Sequence, residues 1–376
     1  MLYRNGTSRI FLLLTVLTVF PVAVFPTGTA VAQSDFPTKN VTMIVPYAAG
    51  GATDVAFRSL SSVVPQYLGQ ALVVVNKPGA GGTVGASFAA KQRPNGYTLL
   101  AALQGPLILN PLQVKVDYSL ADFEPIIHLL STPLVLVAHP DVEWNTLQEM
   151  IQHAKDNPPG TIKFAATGFG NLPYVLTFLL ENKTGTKFTV VPMKGGAPGT
   201  NAVLGHHMDA IMVDKETALP YIQEGTLKGI AVLAEKRTDD LPNVPAVGEQ
   251  GFPELGKIDV WRGVVAPKGT PQPVIQKLHD AFKKSLEDKS LKTMWGKLGI
   301  TIDYKDTQAF GEKMGYLSDF FSKWLKDLGL TKKKKKNRVD PQTTIFKKTR
   351  KPKKGALEKK EMKQKGPGDY AVLLRV

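Results

Sequence analysis

The sequence predicts an α/β protein of two lobes with a cleft between them, and three observations support this prediction. The chain has 376 residues, of which 43% are hydrophobic, and this is enough for two folded units. From Val41 onward, short apolar segments rich in β-branched residues alternate with segments of helical period, as in βα units with a largely parallel sheet. The pattern restarts at Pro133 and at Trp261–Gly263, so we expect the chain to cross between the lobes at these two points.

The predicted elements follow from this alternation. The strands are Val41–Val45, Leu72–Val75, Tyr97–Ala101, Ile126–Leu129, Leu134–Ala138, Ile162–Ala165, Thr189–Val191, Ala210–Val213, Ile230–Leu233 and Gly263–Ala266. The helices between them are Thr53–Leu68, Thr146–Lys155, Leu172–Thr184 and Glu216–Glu224. Two more helices are indicated by apolar residues at helical spacing over 274–286 and 310–328, which we interpret as core positions.

Charge and cysteine content exclude several classes of function. The formal charge of +15 lies entirely at the two ends, because residues 33–331 hold 28 basic and 28 acidic side chains. A neutral core of this size does not indicate a nucleic-acid-binding domain. The absence of cysteine excludes disulfide frameworks, thiolate metal sites and cysteine nucleophiles.

The N-terminus has the pattern of a secretory signal peptide. Arg4 and Arg9 precede an apolar run over Ile10–Phe25, and the small-residue pattern Ala30–Ala32 follows it. We therefore predict a signal peptide over 1–32, cleavage before Gln33 and export to the periplasm. The alternative is an uncleaved membrane anchor, although the run is shorter than the roughly 20 residues that span a bilayer.

The C-terminus differs from the rest of the chain. Five lysines, Lys332–Lys336, open a segment without helical or strand period, so we predict a disordered basic tail over 332–376. A lysine run can be encoded by a long adenine tract, which favours frameshifted sequence as the origin of the tail. The alternative is a polybasic arm that binds anionic lipid or nucleic acid.

The motifs for common catalytic and cofactor chemistry are missing. The glycine-rich stretch Pro78–Gly85 has Val84 where a dinucleotide fingerprint requires its third glycine, and no Walker A motif occurs. Gly168–Gly170 contains no serine and so cannot be a nucleophile elbow. The adjacent pair His206–His207 points its rings apart on any regular element and indicates a surface turn. We predict no catalytic residue, no metal and no cofactor.

A strand-to-helix turn in the first half of the chain is suited to bind an anion. Small residues let the main chain approach a ligand, and the free N–H groups of the first helical turn favour a carboxylate. The predicted ligand-binding residues of this turn are Tyr47, Ala48, Ala49, Gly50, Gly51, Thr53 and Asp54. The alternative is that Thr53 or Asp54 only caps the helix and that Asp54 pairs with Arg58.

Similar turns in the second half of the chain supply the opposite side of the predicted clamp. The predicted residues here are Thr167, Gly168, Gly170, Asn171, Lys194, Gly195, Asp214 and Glu216, and Gln104 and Gly105 complete the predicted site. Asp214 and Glu216 follow a strand, where open α/β sheets bind ligands, but they could also only cap the next helix. Lys194 either neutralises one end of an acid or is simply solvated.

Six ordered motifs resemble those of one family. They are Val45–Asp54, Asn76–Gly82, Pro94–Leu100, Met193–Pro198, Leu241–Ala246 and Trp261–Pro271. Together with the N-terminal pattern, they are similar to the Bug-type extracytoplasmic solute receptors, the substrate-binding subunits of tripartite tricarboxylate transporters. The resemblance spans residues 35–330.

The resemblance implies a two-lobed periplasmic binding protein, type II-like, with a Venus-flytrap hinge and two chain crossings. Lobe 1 would comprise 33–133 plus 261–331, and lobe 2 would comprise 134–260. Such a receptor captures a small carboxylated solute and delivers it to membrane permease subunits. In the family the turn matching Tyr47–Asp54 grips a carboxylate through main-chain N–H groups and water. The residues that depart from the family pattern are Ala52, Asn171 and Met193.

Two other classes remain open from the sequence. An exported α/β enzyme acting on small organic acids would also need an acid-binding cleft. A polybasic protein that associates with surfaces would use the C-terminal tail. Neither explains the paired anion-accepting turns, so the sequence favours a receptor, which we expect to be a monomer that binds no nucleic acid.

Overall fold

The structure is a computed structural model that describes Met1 and residues 35–331. The predicted signal peptide and basic tail lie outside the described residues. The described strands are β1 Val41–Val45, β2 Leu72–Asn76, β3 Thr98–Ala102, β4 Phe123–Thr132, β5 Leu134–Ala138, β6 Lys163–Ala166, β7 Thr189–Pro192, β8 Ala210–Asp214, β9 Lys228–Leu233, β10 Val260–Pro267 and β11 Ile302–Lys305.

The helices pack around these strands. They are α1 Ala52–Val63, α2 Pro65–Leu68, α3 Thr83–Ala90, α4 Asn110–Gln113, α5 Leu147–Asp156, α6 Leu172–Thr184, α7 Gly196–Leu204, α8 Lys215–Gln223, α9 Gln272–Glu287, α10 Lys289–Lys297 and α11 Thr307–Asp327. A π-helical turn, Gly105–Leu109, leads into α4. Within 35–331, no helix has both the length and the apolar composition needed to cross a bilayer.

The strands form two mixed sheets, so the prediction of a largely parallel sheet is wrong. The first sheet has the order β11-β4-β10-β3-β1-β2, and the second has the order β7-β6-β8-β5-β9. Only β1, β2 and β3 in the first sheet and β6, β7 and β8 in the second are joined in parallel. The remaining pairs are antiparallel: β5 and β10 enter their sheets directly from the other lobe rather than through a crossover helix, and β11 pairs with β4 at the edge of the first sheet.

The chain passes between the sheets twice. After β4 in the first sheet, Pro133 leads at once into β5 of the second sheet, and the chain returns from Asp259 into β10. Buried apolar side chains from both sides, among them Leu107, Leu134 and Trp261, belong to one continuous cluster. Apolar side chains of the two sheets therefore pack against each other near β5 and β10, the strands through which the chain passes between the sheets.

Every predicted strand overlaps an observed one, and the deviations have local causes. The predicted helix Thr53–Leu68 is divided into α1 and α2 because Pro65 starts a new helix after Val64. Helix α7 was missed because Gly196 and two residues after it, Pro198 and Gly199, read as a turn. Helices α3, α4 and α10 and strand β11 were also not predicted.

Strand β4 carries a buried histidine whose titration we expect to affect stability. His128 is completely buried, its Nδ1 bonds the Asp303 carbonyl, and its Nε2 lies 3.2 Å from Lys313 Nζ. Burial, assisted by the Lys313 charge, lowers the pKa of His128 from 6.5 to about 4. Between these values the unfolded chain binds the proton first, so the free energy of unfolding falls as the pH falls.

Replacing His128 by asparagine should remove this dependence, which amounts to about 3 kcal/mol between pH 6.5 and 4. Urea denaturation of wild type and variant at pH 7 and at pH 4.5 measures it. His153→Asn, at a half-buried histidine on α5, is the control and should keep the wild-type slope. Equal pH slopes for wild type and His128→Asn would contradict the assignment.

Candidate functional site

The lobes enclose a small inner cavity of about 50 Å³. It is lined by Tyr47, Gly51, Ala52, Thr53, Leu103, Gln104, Gly105, Leu134, Thr167, Asn171, Leu172, Pro173, Gly196, Asp214 and Val260. A second cavity of about 170 Å³, which we call the outer cavity, shares Tyr47 and Thr167 with it and is also lined by Lys194. The two cavities are adjacent parts of the cleft between the sheets.

Four helix N-termini converge on the inner cavity. Ala52 opens α1 from the first lobe, and from the second lobe Leu172 opens α6, Gly196 opens α7 and Asp214 precedes α8. The N–H groups of a first helical turn have no partner within the helix, and the helix dipole places partial positive charge there. The convergence therefore favours an anion with oxygen acceptors.

The two opposed turns come close to each other. A Cβ added at Gly51 would lie 3.8 Å from the main-chain N of Ala197, and one added at Gly195 would lie 3.5 Å from that of Ala48. The start of α1 thus faces the start of α7 across the cleft. Two positive helix ends repel each other, so an anion between them would stabilise the approach of the lobes.

Asp54 shapes the first turn and does not line either cavity. Its carboxylate accepts hydrogen bonds from Gly50 N at 2.9 Å, Arg58 Nε at 2.9 Å and Asn76 Nδ2 at 2.8 Å. Burial opposes ionisation, but these three donors outweigh it and lower the pKa of Asp54. The structure therefore shows the alternative arrangement, in which Asp54 pairs with Arg58 and holds the turn closed.

Glycines of the two lobes meet without room for a side chain. A Cβ at Gly81 would lie 2.2 Å from the Phe169 carbonyl oxygen, and one at Gly170 would lie 2.1 Å from Asn110 Oδ1. Gly168 packs against Gly81 in the same way. In the turn 167–171, which is predicted to accept an anion, Gly168 and Gly170 pack between the lobes, while Thr167 and Asn171 line the inner cavity.

Hydrogen bonds between the lobes accompany this contact. Tyr47 Oη donates to Asn171 Oδ1 at 3.3 Å, and Gln113 Nε2 donates to the Gly170 carbonyl at 2.8 Å. Burial, with a smaller contribution from Asp214, raises the pKa of Tyr47 well above its usual range. The phenol therefore stays protonated and remains a donor at the wall of the cavity.

A buried ion network joins the lobes below the cavity. Arg262, on β10, is fully buried; its Nη1 lies 2.7 Å from Glu216 Oε1, its Nη2 lies 2.9 Å from Asp214 Oδ1, and its Nε donates to Thr53 Oγ1 at 3.1 Å. Glu216 also accepts from Thr132 Oγ1 at 2.8 Å. Burial raises the pKa of Glu216, and the Arg262 charge only partly offsets this effect. Sequence reasoning missed Arg262, although an arginine inside an apolar strand is itself a signal of a buried partner.

The predicted site residues divide into three groups. The inner cavity is lined by Tyr47, Gly51, Thr53, Gln104, Gly105, Thr167, Asn171 and Asp214. Lys194 is exposed and lines the outer cavity. The residues that line neither cavity are Ala48, Ala49, Gly50, Asp54, Gly168, Gly170, Gly195 and Glu216. Sequence reasoning also missed the apolar part of the lining, which comes from residues next to strand and helix ends, such as Leu103, Leu134 and Val260.

A larger cavity of about 590 Å³ lies against helix α11. Its walls include Trp261, Phe320 and Trp324, and Gln104 borders both this cavity and the inner one. The C-terminal half of α6 forms part of its wall, and none of its lining residues lies at the N-terminus of a described α-helix. This larger cavity therefore lacks the convergence of helix N-termini found at the inner cavity.

Two lobes joined by two crossings, with helix N-termini meeting in the cleft, define a bilobed solute-binding protein. The family model of the tripartite tricarboxylate transporter family receptor, TctC, matches residues 56–324. The chain belongs to this family, which confirms the resemblance to Bug-type receptors. The family consists of binding receptors, so the chain is a receptor and not an enzyme.

Individual relatives agree with this assignment. The chain is 31% identical to the protein BugT of Bordetella pertussis over 315 residues, covering 83% of this chain and 95% of BugT. The structure of the periplasmic binding protein BugD superposes with a TM-score of 0.74 at 31% identity, covering 79% of this chain and all of BugD (100%). MatC from Rhodopseudomonas palustris with bound malate gives 0.73 at 28% identity and covers 77% of this chain and 99% of MatC. The two-lobed periplasmic binding protein fold is thereby confirmed.

Proposed function

We propose that this protein captures a small dicarboxylate in the cleft and delivers it, in the periplasm, to the membrane subunits of a tripartite transporter. The observation that carries the proposal is the convergence of four helix N-termini on the inner cavity. Membership of the receptor family and the malate bound by MatC support it. The predicted signal peptide supports the location.

The two parts of the cleft suggest how such a solute is held. One carboxylate would occupy the inner cavity and accept hydrogen bonds from the first-turn N–H groups of α1 and from the Tyr47 phenol, whose O–H would turn from Asn171 to the solute. The remainder of the solute would extend toward the outer cavity, where the Lys194 ammonium can neutralise a second carboxylate. Asp214 at the inner wall would favour solutes that carry a hydroxyl or another donor near the first carboxylate.

Capture would couple to closure of the lobes. In this proposal 33–133 plus 261–331 and 134–260 move as two bodies about Pro133 and the segment before β10. The bound acid neutralises the facing helix ends, and closure excludes water from the polar contacts. The closed form gains the contacts at Gly81 and Gly170.

Isothermal titration calorimetry with malate, succinate, adipate, citrate, aspartate and benzoate tests the proposal. We expect one dicarboxylate to bind with a stoichiometry of one and a dissociation constant on the order of micromolar, and malic diamide not to bind. The diamide keeps the size and hydroxyl of malate but carries no charge. Failure of every acid to bind, or equal binding of malate and its diamide, would overturn the proposal. Recovery of an altered acid after incubation would also count against it.

A further inference from the structure

We propose that the second lobe carries a site for a divalent transition metal, formed by His139, Asp141 and His206. His139 and Asp141 follow β5, and His206 follows α7. The site lies at the opposite end of β5 from Leu134, which lines the inner cavity. It is therefore separate from the cleft, and it does not depend on the proposed solute.

The distances between the three side chains are close to those of a tetrahedral site. Asp141 Oδ2 lies 3.6 Å from His139 Nδ1 and 3.8 Å from His206 Nδ1. The three ligand atoms all lie within 4.8 Å of one another. Ligands bonded to Zn²⁺ at 2.0–2.1 Å in a tetrahedron are about 3.4 Å apart, so each nitrogen–oxygen distance exceeds that of a tetrahedral site by only a few tenths of an ångström.

The three side chains are available to a metal. Asp141 is exposed, and no lysine or arginine of the described chain lies within 4.0 Å of its carboxylate. His139 Nδ1 accepts a hydrogen bond from the Asp141 main-chain N–H at 3.2 Å, so this nitrogen is placed as an electron-pair donor. A metal would take the place of that hydrogen bond.

The backbone places the His206 ring over the His139 ring. His206 has φ +54, an unusual value outside glycine, and its ring stacks on His139 with centroids 3.9 Å apart and an interplanar angle of 9°. Because stacked rings cannot both direct a nitrogen at one ion, one ring must rotate on binding, and half-exposed His206 has the space to do so. Two imidazoles and one carboxylate form a donor set that suits Zn²⁺ and leaves a fourth position for water.

Sequence reasoning interpreted His206–His207 as a surface turn because neighbouring rings diverge. The turn does occur, but the fold brings His206 together with His139, which follows β5. A metal there would tie the end of β5 to the end of α7, and the start of α7 supplies Gly196 to the cleft. We therefore expect the metal to stabilise the second lobe.

Titration of the full chain, expressed without a histidine tag and freed of metal by chelation, with zinc chloride in the absence of solute tests this inference. We expect one Zn²⁺ per chain and a rise of several degrees in the melting temperature at saturation. His139→Ala and His206→Asn should each weaken binding at least about tenfold, and asparagine tolerates the backbone of position 206. His207→Ala is the matched control, since His207 adjoins His206 but is not part of the cluster.

Each outcome of the titration decides for or against the site. Loss of binding in the His139 and His206 variants with retention in His207→Ala supports it. Absence of saturable Zn²⁺ binding, equal weakening by His207→Ala, or unchanged binding by His206→Asn would overturn it. The variants should bind the dicarboxylate as wild type does, so failure of the metal site and failure of the proposed solute site can be told apart.

Discussion

Replacing Gly170 by alanine should weaken solute binding about a hundredfold, because the added methyl group obstructs closure of the lobes. The new Cβ would lie 2.1 Å from Asn110 Oδ1, and Asn110 is buried in the opposite lobe. The overlap is relieved either by displacing the Asn110 amide, which breaks its 2.9 Å hydrogen bond to the Gly81 carbonyl, or by moving the lobes apart. Affinity in a closing receptor includes the free energy of closure, so a variant held open binds its solute weakly.

Gly185→Ala provides a closely matched control for this prediction. Gly170 and Gly185 flank the two ends of α6, both have φ +70, and a Cβ at Gly185 would have no atom within 4 Å. The backbone strain of alanine is thus common to both variants, and only the contact between lobes differs. Calorimetry with the best acid measures affinity, and small-angle scattering measures the distance between lobes. Equal affinities for the two variants would show that closure is not involved.

The sequence predicts the first half of the site better than the second. At Gly51 and Thr53 the strand, the small residues and the amphipathic helix are consecutive in the chain, so local pattern suffices to predict a helix N-terminus that faces a ligand. At Gly195 the turn was predicted but α7 was not, because glycine and proline obscure the helix that follows. The dipole of α7 thus became evident only from the structure.

Contacts between segments that are far apart in the chain could not be predicted from the sequence. The sequence around Gly170 predicts a turn. Nothing near it in the chain indicates that Asn110 fills the space into which a side chain at position 170 would project. Likewise, Glu216 was predicted to contact the solute because it follows a strand, but both of its oxygens are bound by protein donors. Sequence pattern predicts elements and their order, whereas pairings over long separations depend on how the lobes meet.

Replacing Arg262 by methionine should lower the free energy of unfolding by about 3–5 kcal/mol. The substitution leaves the Asp214 and Glu216 carboxylates beside each other without their shared cation, and Glu216 is almost fully buried. An unpaired charge of this kind cannot be solvated, so removing one partner costs more than the network itself contributes. Urea denaturation of both proteins measures the difference.

Arg237→Met is the matched control, because Arg237 also binds a carboxylate, that of Glu249, at 2.8 Å, but at the protein surface. Exposed pairs contribute at most about 1 kcal/mol, so this variant should be close to wild type. The double variant Arg262→Met with Glu216→Gln should be more stable than Arg262→Met alone, since it removes one of the two unpaired carboxylates. Equal losses in the two single arginine variants would contradict a buried network.

The pH dependence of Arg262→Met distinguishes a stranded charge from a packing defect. The pKa of Glu216 is raised already in the wild type, and removal of the Arg262 cation should raise it further. A carboxyl group whose pKa is raised in the folded state binds more protons there than in the unfolded chain, so stability falls as the pH rises above the ordinary carboxyl range. The loss caused by Arg262→Met should therefore be smaller at pH 5 than at pH 8. A packing defect would give the same loss at both pH values, whereas a smaller loss at pH 5 would show that the carboxylates left unpaired by Arg262→Met cause the destabilisation.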